Sequence, residues 1–206
     1  MNNRKTILTN KRVGRLMFLS AILMMLAILH HPHGAPDNAT QELTMKWVHG
    51  CLIFLMVFNA FGLGRLIDFF KARGNEVSLG LLFYYMGLSS FIAAALVSGF
   101  VQTALLESFS SNAQALLVFN KFSSIVNQAL AKLGVMSFGA SGIFYSPVLV
   151  KNRGVSLWVG AIGCVVGITL ILSALAGLYL SVLIMTILTL LIIIWHVAIA
   201  CWLIKH

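Results

Sequence analysis

The sequence predicts an all-α protein, an integral membrane bundle of six transmembrane helices with both termini on the inner side, and three observations lead there. Of 206 residues, 60% are hydrophobic and 9% charged, whereas a soluble domain carries about 25% charged residues. Mean hydropathy is +0.96. The apolar residues also fall into six runs, each near the ~20 residues a helix needs to cross a bilayer. No linker is long enough to hold a second domain, so residues 1–206 read as one polytopic unit.

The runs lie near residues 13 to 31, 47 to 68, 78 to 100, 126 to 146, 156 to 176 and 179 to 203. The first follows Arg4, Lys5, Lys11, Arg12 and Arg15, like the start of a signal peptide. It ends in His30 and His31 rather than in small residues suited to cleavage, so a retained helix is expected. The second is expected to begin near Ala39, with Asn38 as cap and Gln41 at the third position. The 32 residues from Ala39 to Phe70 would run about 48 Å, so this helix projects beyond the hydrocarbon. The fourth run is preceded by a break at Ser110, Ser111 and Asn112 and by Ala113, Leu116, Leu117 and Phe119, which read as an interfacial or projecting helical turn. Gly134, Gly139 and Gly142, and Gly160, Gly163 and Gly167, allow close helix crossings. Trp47 and Tyr179 suit an outer aromatic belt, and Tyr145 and Trp158 an inner one.

Lys and Arg number 14 against 5 Asp and Glu, for a formal charge of +9. No stretch mixes these cations with aromatic residues on a polar surface, so nucleic acid is not an expected partner; the bilayer is. Eleven cations (Arg4, Lys5, Lys11, Arg12, Arg15, Arg65, Lys71, Arg73, Lys151, Arg153, Lys205) fall on one side of the alternating runs, and three (Lys46, Lys121, Lys132) on the other. By the positive-inside rule both termini are cytoplasmic if the host is bacterial, which expects a bacterial inner-membrane protein. Cys51, Cys164 and Cys201 stand singly in apolar runs and are expected in the core. Glu42 and Glu107 are expected to be solvated on the outer side. Asn38-Ala39-Thr40 matches a glycosylation acceptor, which matters only in a eukaryotic secretory pathway.

Depth along the helices carries the functional signal. His30, His31 and His33, then His49, then Ser98 and Gln102, then Asn127, Gln128 and Lys132 all fall near one level toward the outer side. Polar groups in lipid cost several kcal/mol unless they face a partner or water, so a shared outward-facing cavity lined by the first four helices is expected. The leading reading is a transition-metal or haem site, with copper, zinc or haem held by His30 (or His31), His33 and His49, and Met24, Met25 and Met45 as soft donors. The second is transport of a small polar or anionic solute past Gln102, Asn127, Gln128 and Lys132, since an ammonium repels a metal cation and suits an anion. The bland alternative has Lys132 snorkelling and the amides joining neighbouring helices. Asn59, near mid-depth, is expected to bond across helices, and Arg65 with Asp68 to form an interfacial pair.

A third reading is enzymatic. Gly139-Ala140-Ser141-Gly142 in the fourth run, with His196 in the sixth, resembles the serine and histidine dyad of rhomboid intramembrane proteases, which also have six spans; His49, Gly50 and Asn59 are loosely similar to that family's second span. The resemblance implies Ser141 as nucleophile and His196 as its base. The topology puts both toward the cytoplasmic end, whereas that family's dyad opens outward, and Leu55 stands where its second-helix histidine falls. In a Gly-rich helix the same four residues also serve packing, with Ser141 bonding the preceding turn. No phosphate-cradling loop, HExxH pair or paired intramembrane carboxylates occur, which disfavours an ATP-driven pump, a zincin and a carboxylate proton pump. A subunit role in a larger membrane complex stays open.

Overall fold

A computed structural model describes residues 2–31, 39–69, 74–109, 111–151, 155–177 and 181–205. They are helical almost throughout: α1 (Asn2–Leu29), α2 (Ala39–Phe69), α3 (Asn75–Leu96), a π-helical turn (Val97–Val101), α4 (Gln102–Ser108), α5 (Ala113–Val150), α6 (Val155–Leu175) and α7 (Val182–Lys205). Six stretches are long and apolar enough to cross a membrane, and α3, the π-turn and α4 together make one of them, Asn75–Ser108. Asn38, like His33, Tyr179 and the side chain of Asp68, lies outside the described residues.

Helix extends beyond the third run and also precedes the fourth, as the helical turn expected there. The third span does not end near residue 100 but runs on through the π-turn to Ser108. The expected turn at Ala113 is the first turn of α5, whose 38 residues span about 57 Å. Its start is set by Asn112, whose Oδ1 accepts a hydrogen bond from the Ala115 amide at 3.0 Å. Helix α6 stops where Gly177 adopts φ +68°, a left-handed conformation that a side chain resists.

Helix α3 packs along α5, α5 along α6, and α1 along both α7 and α2; α2 also touches α3, and α6 touches α7. Glycine sets the closest approaches. A Cβ on Gly142 would stand 2.7 Å from the Gly163 carbonyl oxygen, and one on Gly167 would stand 2.5 Å from that of Gly139. The Gly139–Gly142 segment is therefore half of a backbone-to-backbone seam between α5 and α6. Between α3 and α5 the pattern changes to ring in notch. Tyr145 sits on Gly80, Phe138 on Gly87 and Phe91 on Gly134, with steps of seven and then four residues on both helices, in opposite directions.

That packing corrects two expectations. Tyr145 is not an interface residue but is fully buried, because the Gly80 notch draws its ring between the helices. Cys51 and Cys201 are exposed and Cys164 is partly so, because they lie on outward helix faces where a thiol behaves as a small hydrophobe. The exterior is otherwise apolar, with Leu19, Phe54, Leu172 and Leu183 exposed alongside Trp47 and Trp158. Asn59 is wholly buried and donates across to the Met24 sulfur at 3.1 Å and back to the Leu55 carbonyl at 3.2 Å.

The seam yields a stability test. Replacing Gly142 or Gly167 by Val forces α5 and α6 apart and costs about 1–3 kcal/mol or more, whereas Gly64→Ala, which meets nothing within 4 Å, leaves the thermal midpoint of the detergent-purified protein unchanged. Equal midpoints for all three variants would contradict the seam.

Candidate functional site: a polar cavity at the His49 end

Met45, His49, Leu52 and Met56 recur at steps of four, three and four residues along α2, so they share one face. That face closes one wall of a partly open cavity of about 530 Å³. The other walls come from the end of α1 with His31, from Phe91 and Ser98, from Gln102 on α4, from Asn127 and Gln128 on α5, and from Thr186 and Thr189 on α7. Among the described residues, no Asp, Glu, Lys or Arg lines it.

His49 is the best-defined group. It is 5% exposed, and its Nδ1–H donates to the Met45 carbonyl at 2.9 Å. Nε2 is thereby left as an acceptor, facing the Ser98 hydroxyl at 3.2 Å and His31 Nε2 at 3.3 Å. The Ser98 hydroxyl has a closer acceptor in the Ala94 carbonyl at 2.7 Å, so His31 Nε2–H is the better donor to His49. The two imidazoles meet edge to face, with centroids 4.8 Å apart.

The π-turn makes this approach possible. The Gln102 amide bonds the Val97 carbonyl five residues back, inserting one extra residue into the turn. The insertion turns Ser98 toward α2 and sets Gly99 beneath the histidine, where a Cβ would stand 2.6 Å from His49 Cβ. Beyond the mouth, Lys46 bonds Glu42 on its own helix and Glu107 at 3.2 Å, joining α2 to α4. The two carboxylates expected to be merely solvated thus share one ammonium.

Of the expected site residues, His49, Gln102, Asn127 and Gln128 line the cavity, and His31 lines it in the place given to His30. His30 is exposed, its Nδ1 donating to the Leu26 carbonyl at 2.8 Å, because α1 ends at Leu29 and turns it outward. His33 lies outside the described residues. Lys132 is half-buried and, although one turn beyond Gln128 on α5, does not line the cavity. Among the proposed sulfur donors only Met45 reaches the wall; Met24 is taken by Asn59, and Met56 and Met185 line the cavity instead. The wall from α7 adds to the four helices expected: Thr186 and Thr189 stand in an apolar run, where a hydroxyl bonds its own helix without signalling a cavity, as Thr189 does at Met185.

Among the described residues no three of His, Cys, Asp or Glu gather into a metal-binding set, and His33, the third expected ligand, lies outside them. What stays is a pair. Two nitrogens each ~2.0–2.1 Å from a tetrahedral ion lie about 3.3–3.4 Å apart, matching the 3.3 Å between His31 and His49. The anchored Nδ1–H of His49 is the support a ligating imidazole usually has. A porphyrin held between the same two rings has no slot, given their edge-to-face contact. The serine and histidine pair is not hydrogen-bonded. His196 Nε2 and the Tyr84 hydroxyl are 3.0 Å apart, while Ser141 Oγ has no partner among the described residues, in its own turn or elsewhere.

The fold and the cavity together define the class: an all-helical chain with six helices fit to cross a membrane and a neutral polar cavity at one end. Compared with family models, curated proteins and solved structures, the chain matches none.

Gly99→Ala tests the local geometry. The added methyl displaces the His49 ring, so its imidazole nitrogen NMR shifts should move as they do in His31→Gln, while Gly50→Ala, whose Cβ meets only Phe100 at 3.8 Å, leaves them in place.

Proposed function

We propose that this chain is a multi-pass protein of a bacterial inner membrane, both termini cytoplasmic, whose outward-facing cavity binds a small uncharged polar solute for uptake or sensing. The supporting observation is that five of the six long helices bring hydroxyls, amides and imidazoles to one cavity of about 530 Å³ without an ionic side chain. A volume of this order holds a small molecule rather than a bare ion. Amides supply both donors and acceptors, hydroxyls either, and the Met and Phe side chains an apolar face, which is the recognition chemistry of a polyol, an amide or a nucleoside-like molecule. With Lys132 off the wall, the anionic branch of the solute reading lacks its cation. Orientation follows from charge: Lys11, Arg12, Arg15, Arg65, Lys151 and Lys205 cluster at the end opposite His49.

The test is accessibility plus binding. With Cys51, Cys164 and Cys201 replaced by Ala, Asn127→Cys should react with a membrane-impermeant maleimide on intact cells, and Met136→Cys, exposed on the same helix at the middle of the fourth run, should not. A panel of neutral polyols, amides and nucleosides should raise the melting temperature of the purified protein, and Gln128→Leu should abolish the rise. No labelling from outside, or no stabilising solute, counts against the reading.

A second reading, Cu(I) binding by His31 and His49 with a thioether of Met45, is favoured by the nitrogen separation alone. Competition with a chromogenic Cu(I) chelator decides it: uptake by the wild type and loss in His49→Phe support copper, and indifference to the mutation removes it.

A further inference from the structure

The floor of the cavity is aromatic, and beneath it lies polarity that the cavity does not use. Phe91 lines the cavity; its ring stands 5.2 Å from that of Phe138, which stands 5.0 Å from that of Tyr84. Each phenylalanine rests in a notch on the facing helix. A Cβ on Gly134 would come within 2.4 Å of the Phe91 ring, and one on Gly87 within 2.9 Å of the Phe138 ring. One layer further in, the Tyr84 hydroxyl meets His196 Nε2 at 3.0 Å, both side chains at most 2% exposed. Around this pair, four buried polar atoms have no hydrogen-bond partner among the described residues: Ser141 Oγ, Tyr145 Oη, Trp195 Nε1 and His196 Nδ1.

Isolated orphans of this kind are uncommon in folded proteins, and each forfeits the hydrogen bond that water would give it. Here they come from adjacent positions: Ser141 and Tyr145 are one turn apart on α5, Trp195 and His196 are neighbours on α7, and the Tyr145 and Trp195 rings are 6.3 Å apart. Ser141 also continues the α5 stripe of Gly134, Phe138 and Tyr145 that faces α3. A bundle meant only to be packed there would carry Phe, Leu and Ala. The groups present, two phenols, a hydroxyl, an indole N–H and an imidazole, repeat the neutral donor and acceptor chemistry of the cavity above them.

We propose that Phe91 and Phe138 separate the cavity from a second polar station around Tyr84, Ser141, Tyr145 and His196, which takes the same uncharged hydroxylic or amide solute when the two rings swing aside. The proposal rests on the reading of the cavity as solute-binding. The two polar layers and the rings between them would then form one route through α3, α5 and α7, closed in this structure at the aromatic pair.

Thiol accessibility tests it, because a dry buried thiol does not form the reactive thiolate and a wetted one does. In the variant lacking native cysteines, Ser141→Cys preserves the shape of the side chain. Proteoliposomes would be treated with 2-aminoethyl methanethiosulfonate, a small cation that enters polar cavities. Ser141→Cys alone should react slowly, and addition of Phe138→Ala should speed it by about tenfold or more, with Asn127→Cys labelled at one rate in both backgrounds. A solute found to stabilise the protein should slow labelling at both positions. Fast labelling at Asn127→Cys with Ser141→Cys equally slow in the Phe138→Ala and parent backgrounds overturns the inner station; so does labelling at Ser141 that the solute fails to slow, which leaves internal water only. Failure of Asn127→Cys to react in any background strikes the cavity reading instead. If Phe138→Ala lowers the melting temperature, Gly134→Ala gives the second perturbation, since it displaces Phe91 while keeping every ring, and the same outcomes apply.

Discussion

An apolar exterior obliges every polar side chain to find its partner inside. With leucine, isoleucine and phenylalanine covering the outer helix faces, the imidazoles, amides and hydroxyls have only one another, the backbone, or what enters the bundle. Most of the hydroxyls solve this locally: Ser90, Ser98, Ser146, Thr169 and Thr189 each donate to the carbonyl one turn back. Side chains with a polar group left over after such local bonds, as His49 has at Nε2, or with amides like those of Asn127 and Gln128, are gathered at one level, and that produces a cavity rather than a filled core.

Glycine gives the constraint its geometry. Along α5 one face carries Gly139 and Gly142 against the α6 backbone, while another carries Gly134 and the rings that enter the notches of α3. A single long helix thus organises two interfaces of different kinds, one a close backbone seam and one an interlocking of aromatic rings. The Gly-Ala-Ser-Gly segment is explained by the first of them. Its two glycines are spent on α6, and its serine faces a layer in which the histidine is already engaged by Tyr84.

The six helices were legible because hydropathy along the chain requires no knowledge of neighbours. Depth was legible for the same reason: counting residues from the charged ends put His49, Gln102, Asn127 and Gln128 on one level, and they share one cavity. Direction around each helix was not. His30 and His31 differ by one residue and about 100°, and only the end of α1 at Leu29 decides which of them faces His49. Lys132 shares the level but not the wall. Tyr145 carries the composition of an interface residue and is buried because of a glycine 65 positions earlier in the chain. The π-turn has no local signature beyond Gly99, whose value depends on a histidine in another helix.

That wide turn also couples parts of the bundle that look separate. Were Val97–Val101 to tighten to ordinary α-helical pitch, everything beyond it would rotate by about 100° relative to Asn75–Leu96. Gln102 would leave the wall, Ser98 would swing off the imidazole, and the carboxylate of Glu107 would be carried away from Lys46. One extra peptide unit therefore works like the tooth of a ratchet, setting the Gln102 wall and the Glu107 contact with Lys46 in a single step.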